Sequence, residues 1–155
     1  MRLREPERHE LPALSDLCLR SKAHWGYSAA MVEAFRSELT IRSDDLEEDA
    51  FIIAEDSRGI AGIVQVSVEG REAILEKLFI EPARMGTGVG RLLYDWACDT
   101  ARRRGALRLV IDSDPDAAAF YARMGASSRG ESPSGSIPGR MLPRLVQDLR
   151  GKLAG

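Results

Sequence analysis

The sequence predicts a mixed α/β fold, a mostly antiparallel sheet of about seven strands flanked by about four helices. Three observations carry that expectation. Apolar runs at 51–54, 60–68 and 73–80 are separated only by short, glycine-bearing turns, the pattern of adjacent antiparallel strands. A cluster of glycines at Gly86, Gly88 and Gly90 then leads into an amphipathic helix and a further apolar run, so the chain crosses over to a parallel strand. Two amphipathic segments precede the first of these runs. At 155 residues the chain suits a single domain, 1–155, with one substantial core.

Taken in order, Arg2 to Arg4 reads as a short edge strand. A helix follows from about Pro6 to Ser21, with Leu11, Leu14, Leu17 and Cys18 on one face. Ser28 suits the cap of a second helix to Leu39, which carries Met31, Val32, Phe35 and Leu39 at helical spacing. Thr40 to Asp49 is polar and acidic and reads as a loop. The three strands of the meander turn at Ser57-Arg58-Gly59 and at Gly70-Arg71. From Gly88 to Arg104 a helix presents Val89, Leu92, Leu93, Trp96, Ala97 and Ala101 on one face. Its other face pairs Arg91 with Asp95 and Asp99 with Arg103, and Gly105 ends it. Leu107 to Ile111 is short and apolar, a buried strand. Asp114 can cap a short helix with Pro115 in its first turn and Gly125 as its stop. Ala126 to Arg129 and Met141 to Leu149 complete the sheet on either side of the polar loop ESPSGSIPGR.

Composition removes several function classes. Hydrophobic residues make up 44% and charged residues 30%, with a net charge of −2, so neither nucleic acid nor an anionic membrane surface is an expected partner. The basic run Arg102-Arg103-Arg104 lies where a helix ends and cations complement its dipole. Cys18 and Cys98 stand alone, and with only His9 and His24 they make neither a disulfide framework nor a metal set. The first twenty residues are too charged for a signal peptide, and no apolar run has the length of a membrane span; the cytoplasm is the expected location.

The stretch from Leu78 to Leu93, LFIEPARMGTGVGRLL, carries the most chemistry. Alternate glycines leave backbone N–H groups uncovered, and the first turn of a helix adds donors without internal partners at the positive end of its dipole. Such a loop binds phosphate or pyrophosphate without a lysine. A dinucleotide fingerprint G-x-G-x-x-G fails because Arg91 stands at its sixth position, and a triphosphate loop fails because no glycine-lysine pair occurs in the cluster. The segment Met85-Gly86-Thr87-Gly88-Val89-Gly90, after a strand ending hydrophobic-x-hydrophobic-x-Pro, resembles the acetyl-coenzyme-A loop of the GCN5-related N-acetyltransferase (GNAT) family, [QR]-x-x-G-x-[GA]. Met85 departs from the glutamine or arginine usual there. DPDAAAFYARMG, Asp114 to Gly125, looks like the family's N-x-x-A-x-x-F-Y-x-x-x-G, with Asp114 where asparagine is common. The resemblance is specific over 74–125 and architectural elsewhere.

That resemblance implies acetyl-coenzyme A as cosubstrate and direct acetyl transfer to an amine. The cofactor contacts it implies are Met85, Gly86, Thr87, Gly88, Val89, Gly90 and Arg91, together with the main chain of Phe79 and Ile80 on a strand that splays from its parallel neighbour. Tyr121 matches the family tyrosine that protonates the leaving thiolate, with core packing as the alternative reading; Phe120 reads as core. A neutral amine is needed for attack, so a base must act. Glu76 is a candidate on the meander's last strand, where alternation sets it opposite Lys77 and with Leu78 and Ile80; a surface ion pair is the alternative. His24, Trp25 and Tyr27, between the first two helices, offer flat apolar surface with polar tips and read as an acceptor wall or as a packed helix corner. Ser134 to Arg140 is a second wall, where Arg140 can pair with a substrate carboxylate or with a surface acid. A small-molecule amine ranks above a protein acceptor. A sensor that binds acetyl-coenzyme A without turnover, a peptide N-acetyltransferase and an interaction domain with an empty cleft are the alternatives. A homodimer through the last strand is compatible with the resemblance.

Overall fold

Strands β2 (Ala50–Asp56) and β3 (Gly59–Glu69) are buried along most of their length rather than on alternate residues. Runs of that kind belong to a sheet covered on both faces, and the computed structural model, which describes residues 1–151, shows such a sheet. Its seven strands run in the order β1-β2-β3-β4-β5-β7-β6, where β1 is Arg2–Arg4, β4 Glu72–Ile80, β5 Arg108–Asp112, β6 Ser127–Pro133 and β7 Met141–Asp148. Every neighbouring pair is antiparallel except β4 and β5, which the crossover helix makes parallel.

Helices cover both faces. Helix α1 (Leu11–Ala23) and helix α2 (Ala29–Leu39) pack Leu14, Leu17, Cys18, Phe35 and Leu39 against Phe51, Ile53 and Ile63. On the other side α4 (Val89–Arg103) and α5 (Ala118–Arg123) set Leu93, Tyr94, Ala97 and Tyr121 on Ile52, Val64, Val66, Leu109 and Ile111. The alternation of Phe51 and Ile53 with Ile52 and Ala54 divides one strand between the two cores.

Several local expectations hold and others are revised. Ser28 caps α2, accepting from Met31 N–H at 3.2 Å. The polar segment expected as a loop contains a short helix, α3 (Ser43–Glu48). Asp45 explains it: its carboxylate accepts the Arg42 N–H at 2.8 Å, capping the first turn, while Leu46 packs on the core beneath. The first helix starts later than expected, preceded by a 3₁₀ turn at Arg8–Glu10. On α4, Leu92 is exposed and Tyr94 takes the buried place, because the apolar face follows 89, 93, 97 and 101. Asp99 pairs with Arg102 at 3.1 Å rather than Arg103, since the Arg102 guanidinium is also held by the Leu149 carbonyl. Strand β6 extends to Pro133, so the final loop is shorter than ESPSGSIPGR. No helix among the described residues is long and apolar enough to cross a membrane.

Candidate active site

Strands β4 and β5 pair only at Glu72↔Arg108, Ala73↔Leu109 and Ile74↔Val110. Beyond those pairs β4 runs on to Ile80 and β5 to Asp112 without a ladder between them. The two parallel strands therefore splay, and backbone groups of β4 from Leu75 onward face a gap instead of a neighbour. An open strand edge offers its N–H and C=O groups to any extended chain, so an extended, hydrogen-bonding ligand fits there.

The glycine loop stands at the open end of this gap. Pro82–Arg84 form a 3₁₀ turn, and α4 begins from Gly88 at φ +88°. Leu92 N–H is the first to bond inward, to Gly88 O at 3.1 Å. The N–H groups of Gly86, Thr87, Gly88, Val89, Gly90 and Arg91 have no acceptor among the described residues. Gly86 and Gly88 hold left-handed backbone, and a Cβ at either would meet nothing within 4 Å. The loop thus opens a row of donors onto free space at the positive end of a fifteen-residue helix. These residues fit the pyrophosphate of coenzyme A. Met85 is partly buried there, and Arg91 is exposed as the third residue of α4, where its charge can reach a phosphate.

Sequence reasoning missed what anchors the loop. Arg84 is buried, and its guanidinium donates to both carboxylate oxygens of Asp56 at the end of β2, while its carbonyl accepts the Thr87 hydroxyl. Its Nε is buried without a partner. An arginine beside a glycine cluster and an aspartate in a distant turn carry no sequence signal of pairing.

On the α4–α5 side, Ile80 and Phe120 meet at the start of α4: a Cβ placed on Gly90 would lie 3.4 Å from the Phe120 ring and 3.9 Å from Ile80 Cγ1. Tyr121 packs against Phe120 and Tyr94, with ring centroids 5.2 and 5.7 Å apart. It is more deeply buried than Phe120, the reverse of the order its chemistry suggested. Its hydroxyl has no hydrogen-bond partner among the described residues, on a residue only 7% exposed. Burial pushes its pKa up, so it keeps its proton.

On the α1–α2 side the expected acceptor wall divides. His24 and Trp25 are exposed and touch edge to face at 5.3 Å. Tyr27 turns inward, where its hydroxyl donates to Asp114 Oδ2 at 2.6 Å and accepts from Arg140 Nη2 at 2.6 Å. Lys22 Nζ lies 2.8 Å from the same carboxylate oxygen and 4.5 Å from the Phe35 ring centre. Both walls read from the sequence thus meet on Asp114, just past the end of β5. Burial pushes the Tyr27 phenol up to about 12. Burial opposes ionisation of Asp114, but the bonds from Lys22 and Tyr27 outweigh it and hold the carboxyl below its usual range. The aspartate in place of asparagine, with Arg140 free to pair with an acid, was the sequence signal of this ionic cluster.

Glu76 does not share a face with Leu78 and Ile80. A bulge breaks the register, Gln65 pairing with Lys77 and Val66 with Leu75, so Glu76 is the extra residue and strict alternation fails there. Its Oε1 accepts from Ser67 Oγ at 2.8 Å, which puts it on the α1–α2 side with Gln65 and Lys77. Phe79 packs on that same side and Ile80 on the other. No group of His, Cys, Asp and Glu among the described residues can hold a metal ion.

Comparison with known proteins agrees with this geometry. Residues 15–126 match the model of the acetyltransferase (GNAT) family. A GCN5-related N-acetyltransferase from Rhodopseudomonas palustris, described also as an aminotransferase, class II, superimposes with a TM-score of 0.76 at 24% identity, over 95% of this chain and 94% of that one. The PaiA N-acetyltransferase from Thermoplasma acidophilum, in complex with coenzyme A, gives 0.75 at 16% identity over 95% and 98%. The ribosomal-protein-S18-alanine N-acetyltransferase from Escherichia coli gives 0.70 at 20% identity over 97% and 95%. These identities speak for the fold. No protein of curated function matches the sequence.

Proposed function

The chain belongs to the acetyltransferase (GNAT) family, and we propose that it moves an acetyl group from acetyl-coenzyme A to the primary amine of a small molecule, by direct attack with both substrates bound. The carrying observation is the parting of β4 from β5 beside a loop whose N–H groups from Gly86 to Arg91 are without acceptors. In this reading those N–H groups hold the phosphates, and the open edge of β4 holds the pantetheine arm. When bound, acetyl-coenzyme A supplies an activated acetyl thioester.

The chain's own residues supply the rest. A main-chain N–H of the Phe79–Ile80 segment donates to the carbonyl oxygen as its charge grows. Tyr121 holds a proton on a hydroxyl that no protein group takes up, and gives it to the departing sulfur. Glu76 lies on the acceptor side, three residues before Phe79 along β4, roughly 10 Å at about 3.3 Å per residue. At that distance it takes the amine proton through water. The acceptor mouth is narrowed by the β6–β7 connection, tied to α2 through Ser136 and Glu38 and to the α1–α2 corner through Arg140 and Tyr27. That covering supports a small amine over a polypeptide.

The test is thiol release from acetyl-coenzyme A with a panel of small amines and of peptides bearing free N-termini or lysines. Release with a small-amine class supports the proposal. Release with peptides alone moves the acceptor to a polypeptide, and binding without release from any amine leaves a cofactor-binding module.

A further inference from the structure

The ionic cluster at the acceptor mouth has an uneven count of donors and acceptors. Asp114 accepts from three donors: Oδ2 takes Tyr27 Oη at 2.6 Å and Lys22 Nζ at 2.8 Å, and Oδ1 takes the Asp116 N–H at 2.9 Å. The cations around it are not. Lys22 uses its ammonium on Asp114 alone, and Arg140 uses one of its five N–H groups, on Tyr27, with the Asp114 carboxylate 4.0 Å away. One carboxylate thus faces two cations whose side chains are only 13% and 18% exposed. Arg140 also stands beside two aromatic rings, its guanidinium carbon 5.0 Å from the Tyr27 ring centre and 5.6 Å from that of Phe35. A guanidinium held between a tyrosine hydroxyl and two aromatic rings, with donors to spare, is preorganised for an oxyanion.

Two nearby carboxylates are neutralised by other arginines. Glu81 is paired with Arg20 at 2.7 Å and Asp112 with Arg144 at 2.8 Å. Glu38 accepts the Ser136 hydroxyl, and Asp116 is exposed to solvent, which screens its charge. Asp114 already carries the Lys22 ammonium on Oδ2, so a substrate ammonium there would compete with a cation in place.

We infer that Arg140, supported by Lys22, forms a carboxylate subsite, so that the acceptor is an amine that also carries a carboxylate. This rests on the acetyl-transfer reading for the identity of the second group but not for the anion site itself. Tyr27 and Asp114 act as positioning residues: they fix the two cations and leave the Arg140 fork facing the mouth.

The experiment pairs glycine, β-alanine, L-phenylalanine and L-glutamate with their own carboxamides. Each is titrated calorimetrically into the protein with and without coenzyme A, and each is assayed for thiol release from acetyl-coenzyme A. At least one acid should bind about 10- to 100-fold more tightly than its amide, the range of a charge-assisted hydrogen-bonded pair. Arg140→Gln should bring that ratio close to one, and Arg140→Lys should restore part of it; thermal unfolding of both variants checks that they fold. Amides bound as well as acids, no acid bound at all, or an acid preference that survives in a folded Arg140→Gln protein would each overturn the inference. An Arg140-dependent acid preference without thiol release would instead defeat the acetyl-transfer reading and leave the anion subsite standing.

Discussion

Replacing Asp114 by asparagine preserves shape and removes one charge from a half-buried cluster. Asp114 is 11% exposed and Lys22 13%, with 2.8 Å between them, and Tyr27 adds a 2.6 Å bond to the same oxygen. Removing one partner of a buried ion pair costs about 3–5 kcal/mol, and the partial exposure here sets the expected loss near the lower end, about 3 kcal/mol. For a domain of this size that corresponds to a midpoint lowered by roughly 6–12 °C. The pH dependence has a definite sign. The carboxyl is held below its ordinary value in the folded chain, so its contribution is complete above the unfolded carboxylate range, near about pH 4–5, and is lost as pH falls through the lower folded value. Wild type and Asp114→Asn should therefore differ by a constant amount from neutral pH to about 5 and converge only in stronger acid. Calorimetric unfolding of both proteins across that range reads the difference directly. A variant as stable as wild type at neutral pH, or a gap that widens as pH falls below about 4, would refute the assignment of Asp114 as the ionised centre of this cluster.

Tyr121→Phe should keep affinity for coenzyme A and lower kcat by about 10²-fold or more, the range for a positioned proton donor; unchanged kcat would return Tyr121 to a packing role. Gly62→Ala tests the close approach of β3 to the site, since its Cβ would lie 2.9 Å from both Ile80 Cδ1 and Leu93 Cδ1 and 3.0 Å from the Phe79 carbonyl oxygen. About 1–3 kcal/mol of stability should be lost, with kcat falling as Phe79 and Ile80 shift, and urea unfolding beside turnover checks both. Glu76→Gln should depress turnover at neutral pH and recover it as the amine deprotonates toward high pH; a pH–rate profile parallel to wild type would remove Glu76 as base.

Much of this was legible in the sequence because its signals are local. The meander, the glycine loop and the Ser28 cap each follow from residues that act within a few positions of themselves. Glu76 was set on the wrong face because a bulge depends on the register with β3, which alternation along one strand cannot reveal. Helix α3 was hidden by polar composition, although Asp45 capping Arg42 made it stable. The Arg84–Asp56 anchor and the meeting of Lys22, Tyr27, Asp114 and Arg140 join residues far apart in the chain. Only the folded sheet, which carries α1 and the β6–β7 connection to the end of β5, brings such groups together.

The most direct test of the central claim is a calorimetric titration of acetyl-coenzyme A into wild type and Gly88→Val. Gly88 holds φ +88° with open space where a side chain would stand, so valine both strains the turn and covers the donor row. Saturable binding to wild type, lost in a variant that still unfolds cooperatively, is the expected result. Binding that persists undiminished in folded Gly88→Val, or no binding to wild type, would contradict the assignment of the glycine loop as the cofactor site.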